Sequence, residues 1–330
     1  MSAGVFVHGT GLITVNGRGD SASNMLEQPA QTDGLWKVDP TCLADVDRTP
    51  RLRRSGPISL MAVGAALDAV AVMDAGARRE LPVFFATTDG GVKHTANFYA
   101  GIVERGPGAG SPLLFPETVY NAPASHISAA LASDREYTAF VGDAGAAFTA
   151  LAAACESLQA GHCEYALVVA SQEVDPVGVA AYRALRLAGG PSTPPLAEAA
   201  AAVLLSSHPA PCRVVDCREG KPFRRLAEAA DSLHAVLHGM QPPSETPWIP
   251  SASGSPLENA ESTACNAFGP KGPDLRILYG ESMAAGALAG MAAGIRHMEN
   301  PENPRSLLFP CLGFQGSCCA ALLTTSHATQ

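Results

Sequence analysis

The stretch 115–173, FPETVYNAPASHISAALASDREYTAFVGDAGAAFTALAAACESLQAGHCEYALVVASQE, decides the reading of this chain. It holds a β-rich run, Tyr137–Val141, then the small-residue turn Val141-Gly142-Asp143-Ala144-Gly145-Ala146-Ala147, then an alanine-rich run to about Gly161. Aromatic and β-branched residues favour a strand in the first part, and alanine favours a helix in the last. A helix that starts at such a turn offers unpaired backbone N–H groups and the positive end of its dipole. A cysteine at the tip would be held as thiolate and would act as a nucleophile. The tip residue is Ala144, and a methyl group has no such chemistry. Asp143 reads as the N-cap of the helix rather than as a catalytic carboxylate.

This run resembles the nucleophile segment of the condensing enzymes, the ketosynthase branch of the thiolase superfamily, and the resemblance extends along nearly the whole chain. Residues 5–17, VFVHGTGLITVNG, look like the opening strand and turn of a ketosynthase. Residues 249–256, IPSASGSP, resemble the strand-end motif that carries the first catalytic histidine, His-Gly-Thr-Gly-Thr-Pro or a close variant, and Ala252 stands at that position. Residues 312–317, LGFQGS, resemble the late Gly-Phe-Gly-Gly-Thr/Ser loop. Residues 279–294 resemble the segment bearing a lysine and the second histidine, in one of two registers. If Glu281-Ser282-Met283 matches the lysine tripeptide, Glu281 replaces the lysine and Gly286 the histidine. If Gly280 is the anchor, Glu281 replaces the histidine. Neither register supplies an imidazole. The resemblance therefore implies degenerate positions at Ala144, Ala252, Glu281 and Gly286, and no catalytic residue. It also implies an α/β fold of five layers, α-β-α-β-α, in two pseudo-symmetric halves, 1–205 and 206–330, forming one compact unit.

Condensing enzymes are dimers whose sheets join across a two-fold axis. In type II polyketide systems one subunit is an active ketosynthase and the other a degenerate copy, the chain length factor. This chain resembles that second subunit. Residues 90–107, GGVKHTANFYAGIVERGP, match the gate helix of chain length factors without a gap. The gating positions fall on Val92, Thr95 and Tyr99, at i, i+3 and i+7, so that they share a helix face. The dimer-interface segment begins at Leu114 and Phe115 and runs to Ala130, and it adds these two residues to the tunnel gate. Chain length factors of aromatic pathways hold glutamine where this chain has Ala144, which points to another branch, such as systems that make linear polyenes. The partners implied are an active ketosynthase and an acyl carrier protein bearing the growing chain, docked mainly through the ketosynthase. The alternative is a homodimeric pseudoenzyme that binds an acyl group or another protein.

No other residue takes over the lost chemistry in the sequence. Of nine cysteines, Cys155, Cys163, Cys318 and Cys319 lie in or near the family's active-site elements, but none sits at a helix start beside a histidine. They read as buried, inert thiols, and no Cys/His spacing suggests zinc. His126 belongs to a structural motif, and His94, His234, His238 and His297 lie on expected helices, at their surfaces. No cofactor and no metal is expected. With a net charge of −9 the chain is not expected to bind nucleic acid, although Arg51, Arg53 and Arg54 form a local basic cluster. Ser282–Ile295, an uncharged stretch of small and apolar residues, is too short to span a bilayer. The first twenty residues read as strand and turn rather than a secretory signal, and reduced cysteines suit the cytoplasm.

The remaining pattern concerns packing. Gly286, Gly290 and Gly294 recur every four residues, and Ala146, Ala147, Ala150, Ala153 and Ala154 line the helix after the turn. Both stripes are expected to bring a helix backbone very close to a neighbour. Tyr165–Ala170, Ala202–Leu205 and Ala320–Leu323 read as strands covered on both faces. Helices are expected at Ile58–Ala75, Thr95–Val103 and Arg224–Leu237, and a strand at Cys212–Cys217. The region 206–248 is shorter than its counterpart in the family, which leaves the outer layer of the second half uncertain.

Overall fold

The computed structural model describes residues 4–23, 35–48, 50–185 and 193–326. Eight strands form the path of one mixed sheet: β1 (Val5–Thr14), β2 (Val83–Thr87), β3 (Tyr137–Val141), β4 (Tyr165–Gln172), β5 (Ala199–Ser206), β6 (Cys212–Glu219), β7 (Ser306–Leu312) and β8 (Cys318–Thr325). Their order is β7-β8-β6-β1-β5-β4-β2-β3, and the two-residue strand Gly17–Arg18 pairs with β1. Eight helices concern us: α1 (Pro57–Ala69), α2 (Val92–Arg105), α3 (Ala122–Leu131), α4 (Ala146–Gln159), α5 (Pro176–Ala184), α6 (Ala229–Met240), α7 (Glu258–Cys265) and α8 (Met283–Glu299).

The sheet is built twice. In the first half β1, β5, β4, β2 and β3 lie side by side, with β5 antiparallel to both neighbours and β2 parallel to β4 and β3. In the second half β6, β8 and β7 lie in the same order, again with β8 antiparallel to both neighbours. The last two strands of that half shrink to single parallel bridges, Trp248 to Leu308 and Trp248 to Lys271. The helices α1, α3 and α4 of the first half thus correspond to α6, α7 and α8 of the second. The sequence shows no repeat to the eye because only strand order and layer position recur.

The two halves meet where β1 pairs antiparallel with β6 over Val5–Val7 and Cys212–Val214. The expected pair of sheets is therefore one hydrogen-bonded sheet, bent at this seam. Helices α4 and α8 touch each other and strands of both halves, so they are sandwiched. Helices α1 and α3 cover the outer face of the first half, and α6 and α7 cover that of the second. The outer layer that the sequence left uncertain is present, and it includes α7, which the sequence did not suggest. The core divides accordingly. One cluster surrounds α4 and α8, one lies under α1 and α3, and one lies under α6 and α7.

Burial explains which residues form these elements. All eight residues of β5, AAAAVLLS, are buried, as expected of a strand covered on both faces. The glycine stripe of α8 departs from its expected role. A Cβ on Gly294 would come within 2.6 Å of the Phe309 ring, so this glycine does serve close packing. A Cβ on Gly290 would meet nothing within 4 Å, and the nearest atom to one on Gly286 is at 3.6 Å. These two glycines leave space instead of filling it.

Strand β3 closes one end of the sheet. It is paired on one side only, with β2. Tyr137 and Val141 on it are exposed, as are Tyr99 and Val103 on α2 and Leu113 and Phe115 in the following segment. Phe115 packs against Phe98 at 5.8 Å between ring centroids. His126 on α3 pins this segment: its Nε2 lies 2.8 Å from Glu117 Oε1 and 3.1 Å from Ser55 Oγ.

Candidate functional site

The turn between β3 and α4 is held from the side. The Asp143 carboxylate accepts the Gly145 N–H at 3.1 Å, the Gln315 N–H at 2.7 Å and the Ser317 hydroxyl. Asp143 is 5 % exposed, and a Cβ on Gly313 would lie 2.1 Å from its carboxylate. Asp143 is therefore not the N-cap of α4, a position held by Gly145. It is a clamp between the turn and the Gly313–Ser317 loop. The reason is its distance from the helix: its carboxylate accepts from a turn amide and from the facing loop.

The clamp sets Ala144 at the edge of a narrow cleft. Ala252, Glu281 and Gly286 line the same cleft. The four degenerate positions, separated by up to 142 residues in sequence, thus converge on one site. The walls are apolar: Phe148, Ile249, Phe309, Leu312 and Phe314, with Gly290 beside Gly286. Among the described residues no histidine or cysteine lines it.

The polar part of the cleft is an ion cluster that sequence reasoning missed. Arg276 pairs with Glu281, and its Nη1 donates to the Ser253 carbonyl at 2.8 Å. Burial pushes the guanidinium's pKa down, with the charge of Glu261 acting against that shift. Glu261 on α7 is 1 % exposed and accepts the N–H groups of Ser251 at 2.9 Å and Ala252 at 3.0 Å, and the Ser251 hydroxyl at 2.5 Å. Burial pushes its carboxyl up to about 7, against the pull of those hydrogen bonds. Ser251 lines the cleft next to Ala252, the expected position of the first histidine. The sequence signal for Arg276 and Glu261 was weak. Glu261 sits in a polar helix beside Glu258 and Arg276 close to Asp274, so nothing local marks either, and only the fold brings them together.

Burial disfavours the thiolate form of the cysteines. Burial raises all nine, and it carries Cys155, Cys212 and Cys318 to about 12. A thiol in that state is not a nucleophile near neutral pH. His234, His238 and His297 are exposed as expected. His94 is only half-exposed, with Nε2 at 3.1 Å from the Arg54 carbonyl. Among the described residues no group of three or more His, Cys, Asp or Glu side chains could hold a metal ion, and no helix is long and apolar enough to cross a membrane.

A second, smaller pocket adjoins the cleft. It lies between α2 and α5 and is lined by Val92, Val174, Val179, Tyr182 and Leu196, with Glu281 and Met283 shared with the cleft. Its polar side chains are tied to each other. Asp89 accepts the Tyr182 hydroxyl at 2.9 Å and the Gln172 amide at 2.8 Å, and Glu173 accepts the Lys93 N–H at 2.8 Å. Of the expected gate residues, only Val92 lines this pocket. Thr95 is half-buried, and its hydroxyl donates to the Gly91 carbonyl at 2.9 Å. Tyr99 is 59 % exposed, Phe115 is 56 % exposed, and Leu114 is half-buried. Five residues expected to act together are therefore split, one at an internal pocket and four along the outer face of α2 and its neighbour segment.

Residues 28–238 match the family described as Beta-ketoacyl synthase, N-terminal domain. No curated protein matches the chain by sequence. Solved structures match over nearly the full length. A complex described as AntDE:AntF, a type II PKS acyl-carrier protein with its ketosynthase bound to the hexaketide, has a TM-score of 0.83 at 14 % identity, covering 99 % of this chain and 100 % of that one. The ishigamide ketosynthase/chain length factor has a TM-score of 0.81 at 17 % identity, with coverage of 99 % and 100 %. The ketosynthase ApeO in complex with its chain length factor ApeC, from Xenorhabdus doucetiae, has a TM-score of 0.77 at 15 % identity, with coverage of 98 % for each. At such identities the likeness is one of fold, and the fold is the thiolase-like fold of ketosynthases.

Proposed function

The chain belongs to the β-ketoacyl synthase family, and from that premise we propose that it is a non-catalytic chain length factor, the partner of an active ketosynthase in type II polyketide biosynthesis. One observation carries the reading. Ala144, Ala252, Glu281 and Gly286, the positions expected to carry the nucleophile and the imidazoles of a condensing site, line one cleft, and none of them is a cysteine or a histidine. A fold preserved without its chemistry is explained by a structural duty toward a partner.

The surface supports that duty. Strand β3 is an open edge, and Tyr99, Val103, Leu113 and Phe115 are exposed on the chain as well. An unpaired, apolar edge of this kind invites pairing with another chain. Solved relatives of this fold include a ketosynthase bound to its chain length factor. In the proposed assembly the growing chain stays on the partner's cysteine and on a carrier protein docked mainly there. The gate residues Val92, Thr95, Tyr99, Leu114 and Phe115 face its path, and Ala144 in place of glutamine favours a linear polyene as product.

The test is co-expression with candidate ketosynthases that retain Cys and both His. The expected result is a one-to-one complex whose interface buries roughly 2,000 Å² or more, with the chain poorly soluble by itself. A stable monomer, or a homodimer that ignores every active ketosynthase, would refute the reading.

A further inference from the structure

Helix α6 turns one face to the core and the other to solvent. Leu233, Val236, Leu237 and Met240 are buried in a cluster with Leu308, Leu312 and Leu322 of β7 and β8. The opposite face carries Asp231, His234 and His238, all exposed. Spacings of three and four residues make these side chains neighbours on the helix surface.

Two features set the histidine pair apart. Its rings are close: the centroids of His234 and His238 are 6.3 Å apart, with 30° between the planes. Its nitrogens are also available. The rings of His8, His94, His126 and His297 each bond a neighbour. Among the described residues no hydrogen bond or ion pair engages the rings of His234 and His238. Phe268 lies against His234 with 5.5 Å between ring centroids, which limits how far that ring can swing.

An ion about 2 Å from a ring nitrogen lies about 3 Å from that ring's centre, so two imidazoles sharing it have centres about 5–6 Å apart. The observed 6.3 Å is just outside that range, and a small rotation of the exposed His238 ring closes the gap. Charge favours a cation here. The Asp231 carboxylate is on the same face, and the guanidinium that reaches this helix, Arg218 beside Gly239, is paired with Asp216 at 2.7 Å.

We propose that His234 and His238 form a two-imidazole site for a divalent transition-metal ion on the outer face of α6. Imidazole suits zinc, nickel and copper, and Cu2+ binds tightest in that series. Two protein ligands leave the ion's other positions to water or to Asp231. The site is therefore open, unlike a closed structural centre with four protein ligands, and it is consistent with the lack of any cluster of three or more ligating side chains among the described residues. An ion bridging residues one turn apart ties the end of α6 together, over the strands that carry the Gly313–Ser317 loop. Binding requires the folded helix, so the ion stabilises the outer layer of the second half.

The experiment titrates Cu2+ into the untagged full chain, or into its complex with a partner subunit, and compares wild type with His234→Ala, His238→Ala and, as a control, the exposed His162→Ala. The substituted rings are exposed and alanine favours the helix, so His234→Ala and His238→Ala stay folded. Wild type is expected to hold one Cu2+ at this site, with two imidazoles in its pulsed EPR spectrum. Each variant of the pair is expected to weaken binding about tenfold or more, because the helix presents the second ligand at high effective concentration, and to leave a single imidazole. His162→Ala is expected to change neither. Affinity and imidazole count unaltered in His234→Ala and His238→Ala, or a single imidazole in wild type, would mean adventitious binding at scattered side chains and would overturn the site. A rise in melting temperature with Zn2+ is expected in wild type and not in His238→Ala, and the same rise in both would place the ion elsewhere.

Discussion

Ala144 occupies the tip of a turn that Asp143 still clamps to the Gly313–Ser317 loop. The clamp outlived the nucleophile because it holds the fold rather than the reaction. With every thiol raised by burial, an acyl-thioester probe followed by intact mass should find no stoichiometric adduct on this chain, and an adduct would mean that a nucleophile exists outside the matched positions. Glu261 offers a second test. Its carboxyl is raised from 4.5 to about 7, so the fold favours the protonated form. The stability this contributes is complete below about pH 4.5 and is lost as pH rises through about 7. Thermal melts should show the chain losing stability across that window. Glu261→Gln, which cannot ionise, should flatten the slope, and identical slopes would show that Glu261 does not govern it.

The small-residue helix α8 shows how one pattern serves two ends. Gly294 sits under Phe309, whereas Gly290 faces open space. Gly294→Ala should therefore cost about 1–3 kcal/mol through overpacking. Gly290→Ala should be neutral or gain up to about 1 kcal/mol from helix propensity. Chemical denaturation of the two variants checks the contrast. Equal effects would mean that the stripe acts uniformly. Helix α2 divides in the same way. Its first residue reaches an internal pocket while Tyr99 and Val103 face outward, so a gate spread over i, i+3 and i+7 works only when a partner covers its outer face.

At the scale of the molecule, the open edge at β3 and the apolar surface around Phe115 lie at one end of the sheet. The basic cluster Arg51, Arg53 and Arg54 is exposed, and among the described residues none of the three forms an ion pair. In an acidic chain this is an obvious place for an acidic carrier protein to settle. The proposed arrangement puts productive docking on the partner, where the cysteine is. Reversing the charge of all three arginines should then leave turnover of the complex nearly unchanged. A collapse in turnover with the complex intact would move the docking site here.

The sequence by itself determined the fold class, and it set the expectation that the nucleophile is lost. Strand-turn-helix chemistry at 137–161 and the motifs around Ala252 and Gly313 are local, so their residue types could be read in order. It also indicated two buried helices, because alanine and glycine stripes register close surroundings. It could not show the doubled strand order, since the second copy keeps only single bridges at Trp248 and Lys271 in place of its last two strands. Nor could it separate Gly294 from Gly290, or find the cluster of Arg276, Glu261 and Glu281. Those depend on what lies across the gap, and side chains distant in sequence meet there only after the sheet has bent around α4 and α8. The tertiary structure alone decided that Glu281 and Met283 border two pockets, because a boundary is defined by the space on both of its sides.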